Sequence, residues 1–186
     1  LHDFGSVPDW NDEIPLAECA VVLPMTGAEC GRSVTAELLE TLATVEPGSV
    51  VVPIRAPTDR ITEVAAWLDG FDLPLTPLWC GAPAVVDELA AAGIDVPPGK
   101  GRDVWLGVGV ACERAEYVVV HDADVGSYDR DHVARLLWPL TRSAAFSKGY
   151  YARIEDGRLF GRLFRLFYRP LVAALRDDAI DRTGSS

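Results

Sequence analysis

Apolar positions along this chain follow two rhythms. Short unbroken runs recur at 18–23 (ECAVVL), 50–54 (VVVPI), 75–80 and 117–120 (YVVV). Runs of this kind, rich in β-branched residues, fit strands buried on both faces of a parallel sheet. Between them the spacing turns helical. Val34, Leu38, Leu39, Leu42 and Val45 mark a helix over 33–45, and further helices are expected over 61–68, 84–92, 103–114 and 131–140. Pro47-Gly48 and Gly93 close two of these, and Asp59 is the expected N-cap of the helix over 61–68. Pro74 and Pro77 predict an edge position or a frayed start for the strand over 75–80, because proline has no N–H to give to a ladder. Residues 146–154 alternate enough for another strand, and 159–175 predict a long amphipathic helix carrying Arg162, Arg165 and Arg169. Strands alternating with helices call for an α/β fold, a mainly parallel sheet with helices on both faces. A lead-in over 1–17, one domain over 18–176 and a tail over 177–186 complete the expected organisation.

Composition changes this picture little, but it excludes some functions. With 186 residues, 49% hydrophobic and 24% charged, the chain is globular and long enough for a real core. A formal net charge of -11 argues against nucleic-acid or anionic-membrane partners. No run is long enough to span a bilayer, and a cytoplasmic location is expected. A homo-oligomer is compatible with this composition. Cys19, Cys30, Cys80 and Cys112 form no Cys-x-x-Cys pair, and His2, His121 and His132 are scattered, so reduced core cysteines are expected rather than a zinc site. Leu1 is not an initiator methionine, and the chain is expected to be a piece of a longer one.

The candidate chemistry gathers at the carboxyl end of the run over 117–120, where Asp122-Ala123-Asp124 follows. Open α/β sheets bind ligands at such strand ends. Two carboxylates there repel each other unless a cation joins them, and hard oxygen ligands suit Mg²⁺ or Mn²⁺ bridging to a substrate phosphate. Turn and capping duties are the plainer reading. Gly99-Lys100-Gly101 opens a helix, where glycines admit a ligand close to the backbone and free N–H groups favour an anion. The sequence is not a Walker A loop, since Arg102 follows. A solvated lysine on a tight turn is the alternative. Glu29 and Arg55 occupy loops that a doubly wound sheet raises on the same edge, in reach of a base or a ribose; alone, each reads as a solvated loop charge. Lys148, Arg153 and Arg158 could hold an anionic second substrate or pair with surface acids. His121 reads as a packed histidine and Tyr128 as packing, with a hydroxyl that could meet a ligand.

Taken in order, Val22-Leu23-Pro24, Gly99-Lys100-Gly101, Asp122-Ala123-Asp124, Lys148-Gly149-Tyr150-Tyr151, Gly157-Arg158 and Arg169-Pro170-Leu171-Val172-Ala173-Ala174-Leu175 resemble the GT-A glycosyltransferases. The resemblance, over residues 18–176, is strongest to the glucosyl-3-phosphoglycerate synthases. It implies a Rossmann-like nucleotide-diphospho-sugar transferase fold and transfer of a hexosyl group with retention of configuration. The donor is expected to be of the UDP-glucose or GDP-mannose type and the acceptor small, hydroxylated and anionic, such as 3-phosphoglycerate. A polyprenyl-phosphate or glycan acceptor, or a catalytically incomplete binding domain, are the alternatives. The resemblance places Pro24, Gly99, Lys100, Gly101, Asp122 and Ala123 on the nucleotide sugar, beside Glu29 and Arg55. It puts the metal on Asp124, with Asp122, the other candidate metal ligand, supporting the ribose or the metal's waters. It puts Gly157 and Arg158, joined by Lys148, on the acceptor side. No residue is named as a nucleophile. Three departures stand out. Thr26-Gly27-Ala28-Glu29 replaces a more acidic loop, and Phe160 stands where an acceptor-loop threonine is expected. The chain also ends at Ser186, short of a metal-binding histidine in the resembled proteins.

Overall fold

The computed structural model describes residues 14–149, 154–155 and 158–159. Ile14–Leu137 forms one compact unit, and the described residues from Trp138 onward belong to a second.

In the first unit the apolar runs become β1 (Cys19–Val22), β2 (Met25–Thr26), β3 (Ser49–Arg55), β4 (Leu75–Trp79) and β5 (Tyr117–Val120). All of their pairings are parallel. β3 and β5 flank β1, and β4 lies beyond β3. Leu23-Pro24 interrupts the first strand, yet β2 resumes on β3 in the register that β1 left, with Val22 opposite Val51 and Met25 opposite Ile54. β4 pairs with β3 alone among the described strands, the edge position that its prolines predict. The chain therefore builds outward from β1 through β3 to β4, then returns to lay β5 on the other side of β1. That reversal leaves a crevice at the carboxyl ends of β1 and β5.

Both faces of the central strands β1 and β3 are covered. By contrast β5, expected to be buried on both faces, buries only Val119 and leaves Val120 40% exposed, and β4 has no fully buried residue. Ala20 and Val22 pack with Val51 against Ala111, while Cys19, Val21 and Leu23 point to the opposite face and are equally buried. The helices are α1 (Ser33–Val45), α2 (Ile61–Leu68), α3 (Pro83–Ala91), α4 (Lys100–Cys112) and α5 (Arg130–Leu137). α4 packs on β1, β3 and β5, and α1 packs on α5. The buried residues of α4 are Asp103, Gly107 and Ala111, a stripe with the spacing of one residue per turn. Gly107 permits the close approach: a Cβ there would sit 2.3 Å from Pro53 Cγ and 2.9 Å from Val22 Cγ1.

Several expectations need correction. α4 starts at Lys100 rather than 103, because Gly99 acts as its N-cap and the Asp103 N–H donates to the Gly99 carbonyl. α5 stops at Leu137 rather than 140, since Pro139 has no N–H to return to the helix. Arg60, not Asp59, occupies the N-cap of α2 and pairs forward with Glu63. Cys112 is exposed rather than core, being off the buried stripe of α4, and Cys30 is only partly buried in the turn before α1, although the four cysteines are all free.

In the second unit Leu140–Arg142 forms a single 3₁₀ turn, with the Arg142 guanidinium 5.1 Å over the Trp138 ring. Residues 146–149 carry no strand. Ile154–Glu155 (β6) pairs antiparallel with Arg158–Leu159 (β7), so a hairpin forms where one strand was expected to end and a helix to begin at Leu159. The intervening Asp156-Gly157 is a strong two-residue hairpin signal, and it outweighs the alternation read upstream. The helix expected beyond Leu159, the lead-in up to residue 13 and the tail lie outside the described residues.

Candidate functional site

The first turn of α4 is where the ends of the strands are gathered. From β3, Arg55 brings its Nε to 3.7 Å from Asp103 Oδ2. At the end of β4, the Cys80 carbonyl accepts a hydrogen bond of 3.0 Å from an Arg102 terminal nitrogen. From the end of β5, Asp122 Oδ1 lies 2.5 Å from Lys100 Nζ. The sheet itself sets the last contact: the His121 N–H donates to the Val22 carbonyl, carrying the ladder one residue past β5 and fixing where Asp122 begins. The Arg102 contact is buried, the Asp103 contact is buried on the carboxylate side only, since Arg55 is 44% exposed, and the Lys100 contact lies in solvent. The Arg102 and Asp103 side chains are 7% and 4% exposed, whereas Lys100 and Asp122 are 58% and 43% exposed.

Local electrostatics follow from this arrangement. Burial pushes the Cys80 thiol up to about 12, and the Asp103 carboxylate beside it pushes in the same direction, so Cys80 is an inert core thiol. Gly99 has an extended backbone that any residue adopts, and a Cβ on Gly101 would meet nothing within 4 Å. The fold does not require a glycine at either position. No side chain among the described residues caps α4, so its first N–H groups remain available to an anion.

The remaining expected residues divide clearly. Pro24 and Ala123 sit at the ends of β1 and β5, with Ala123 buried. Glu29 lies in the turn after β2, where one carboxylate oxygen accepts from the Thr26 N–H and closes that turn. The turn is tied to the site through Gly27, whose N–H donates to the Arg55 carbonyl at 3.0 Å. Arg55, expected at a base or ribose, is engaged with Asp103. Lys148 belongs to the second unit, in the irregular stretch before β6, and Arg158 opens β7. Gly157 and Arg153 lie outside the described residues. Sequence reasoning missed Asp103. It follows the phase of Gly107 and Ala111, but a search for apolar periodicity passes over a stripe of Asp, Gly and Ala.

Behind the aspartates, His121, Tyr128 and His132 make an aromatic cluster. Tyr128 stacks on His132 at 4.9 Å and meets His121 edge-on at 5.2 Å. Burial, assisted by His132, lowers the His121 pKa from 6.5 to about 4. In the unfolded chain this histidine takes its proton near pH 6.5, and in the folded chain only near pH 4. The folded state is therefore expected to lose about 1.4 kcal/mol per pH unit through this group as pH falls across that window. Urea unfolding of His121→Phe should show a shallower decline between pH 6.5 and 4 than the parent; parallel declines would remove His121 as the cause.

Asp122 and Asp124 present hard oxygens, and Asp124 is exposed with no hydrogen bond or ion pair to another described residue. No group of three or more His, Cys, Asp or Glu among the described residues converges on a metal position. Mg²⁺ and Mn²⁺ sites commonly use one or two carboxylates, with water and phosphate oxygens for the rest. The pair fits that donor set, provided that Asp122 exchanges its lysine partner for the ion.

No protein-family model matches the chain. Three curated proteins named glucosyl-3-phosphoglycerate synthase are similar to it. That of Methanococcoides burtonii is 35% identical across 70% of this chain. Those of Persephonella marina and Mycolicibacterium smegmatis are 37% and 29% identical across 65% and 84% of it. The chain spans 35%, 32% and 55% of the length of these relatives. The parallel α/β unit over 14–137 agrees with the Rossmann-like GT-A fold that the motifs imply. Among the described residues no helix is long and apolar enough to cross a membrane.

Proposed function

We propose that this chain, a relative of the glucosyl-3-phosphoglycerate synthases, supplies the donor side of a metal-dependent glycosyltransferase. In this reading it binds a nucleotide-diphospho-hexose of the UDP-glucose or GDP-mannose type. The hexosyl group then passes to a small hydroxylated acceptor such as 3-phosphoglycerate. The observation that carries the reading is the exposed Lys100–Asp122 pair at the switch point of the sheet. A cation and a carboxylate that neutralise each other in solvent are weakly held. A metal-bound diphosphate offers both of them a replacement partner, the ion for the carboxylate and an oxygen for the lysine. Asp122 and Asp124 would hold Mg²⁺ or Mn²⁺, and such an ion supplies Lewis-acid stabilisation of the leaving diphosphate. Lys100 and the uncapped N–H groups of α4 would take the nucleotide, with Pro24, Glu29 and Arg55 around it. Lys148 and Arg158 are proposed for the anionic acceptor because of their charge.

Titration calorimetry with UDP-glucose and GDP-mannose, with and without Mn²⁺, tests the donor half. Metal-dependent binding of one of them is expected, and binding of neither would overturn the reading. Glucose transfer to 3-phosphoglycerate then tests the acceptor. Lys100→Ala should weaken UDP binding about tenfold or more, the usual worth of a hydrogen bond from a charged donor. Equal affinity in variant and parent would return Lys100 to the role of a surface charge.

A further inference from the structure

Asp103 is a carboxylate in the core of a stripe that is otherwise glycine and alanine. Helix phase forces its burial: it stands one turn before Gly107 on the face that α4 lays against the sheet. A residue there gains little net stability from being ionic. Burying a charge costs several kcal/mol, and an apolar replacement of a buried ion pair is often neutral or stabilising. The pairing is also loose. Arg55 approaches Oδ2 at 3.7 Å and Arg102 approaches Oδ1 at 3.8 Å, both beyond hydrogen-bonding range. Asp103 Oδ1 and Arg102 Nε have no hydrogen-bond partner among the described residues. What this arrangement does secure is orientation. A negative group near the N-terminus of α4 is favourable to the helix dipole, and it lies between an arginine rooted in β3 and one bonded to the end of β4. Three residues earlier on the same turn is Lys100.

Resting on the donor-site reading above, we propose that Asp103 is a positioning residue. Held between Arg55 and Arg102, its carboxylate fixes the first turn of α4 on the ends of β3 and β4, and this keeps Lys100 opposite Asp122, aimed at the incoming nucleotide. Arg55 then acts through Asp103 as well as by its own half-exposed charge.

The test is a double-mutant cycle in the full 186-residue chain, with UDP as the probe. Asp103→Asn keeps the shape and removes the charge. If Asp103 acts through Lys100, Asp103→Asn should weaken UDP binding about tenfold in the parent, and less than about twofold once Lys100→Ala is present. Hydrogen exchange supplies a readout independent of any ligand. Amides at the start of α4, including the Asp103 N–H, should exchange faster in Asp103→Asn, while those of Leu38, Leu39 and Leu42 in α1 remain protected as before. Equal losses of UDP affinity in both backgrounds, unchanged exchange at the start of α4, or faster exchange throughout the core would each overturn the proposal. Absence of UDP binding by the parent would overturn the donor reading and the role that Asp103 has in it. The exchange result would still decide, separately, whether Asp103 holds the helix.

Discussion

Gly107→Ala is expected to destabilise the protein by about 2 kcal/mol, although alanine is the better helix former. In an exposed helix interior the same change adds roughly 0.5–1 kcal/mol of stability. At Gly107 the new methyl would stand 2.3 Å from Pro53 Cγ and 2.9 Å from Val22 Cγ1. Neither neighbour can step aside. Pro53 is locked by its ring within the buried strand β3, and Val22 is fully buried in β1. Overpacking of this kind costs about 1–3 kcal/mol, and here α4 itself has to lift from the sheet, so the upper part of that range outweighs the propensity gain. Gly109, two residues on, is exposed, and its added methyl would meet nothing within 4 Å. Gly109→Ala is therefore expected to raise stability by roughly 0.5–1 kcal/mol. Urea unfolding of the two variants should give midpoints on opposite sides of the parent. A Gly107→Ala midpoint at or above the parent's would mean that α4 does not seat on Pro53 as described.

That contrast also shows where the sequence could be read and where it could not. The runs at 18–23 and 50–54 are unbroken because both faces of their strands are covered, and burial on both faces leaves an unmistakable pattern. The equally apolar run at 117–120 reads the same way, yet only Val119 is buried there. α1 was equally plain, with large apolar residues on one stripe. α4 was not. Its buried stripe is Asp103, Gly107 and Ala111, chosen for closeness to the sheet rather than for apolar bulk, so periodicity placed its start three residues late. The error reached the site. With the helix opening at Lys100, Asp103 falls on the inner face, and Arg55 has a partner that reading its loop in isolation did not supply. The juxtaposition of Lys100 and Asp122 was legible in outline, because topology sends both to the same sheet edge. Their direct pairing was not, since an ion pair across 22 positions of sequence leaves no local signal. In the second unit Asp156-Gly157 is a local hairpin signal, legible in the sequence ahead of the β6–β7 pairing.

The aspartates are expected to respond unequally to substitution, and this inequality tests the metal assignment most directly. Asp124 is exposed and has no partner among the described residues, so an arriving ion displaces nothing there. Asp122 is held by Lys100 and has to change partners. Asp124→Ala should thus reduce UDP-glucose affinity in Mn²⁺ on the order of 100-fold, to the metal-free level, since losing a ligand costs at least as much as losing the groups that support one. Metal-free UDP affinity should be unaffected, because Lys100 and the N-terminus of α4 are intact. Asp122→Asn should differ in kind. It weakens the metal site, but it also releases Lys100 from its counter-ion, so UDP affinity without metal should rise above the parent's while the gain from Mn²⁺ shrinks. Calorimetric titration of both variants, with and without Mn²⁺, separates these outcomes. If Mn²⁺ strengthens UDP-glucose binding to Asp124→Ala as much as to the parent, the ion does not sit on this pair, and Asp124 returns to the role of a solvated surface charge.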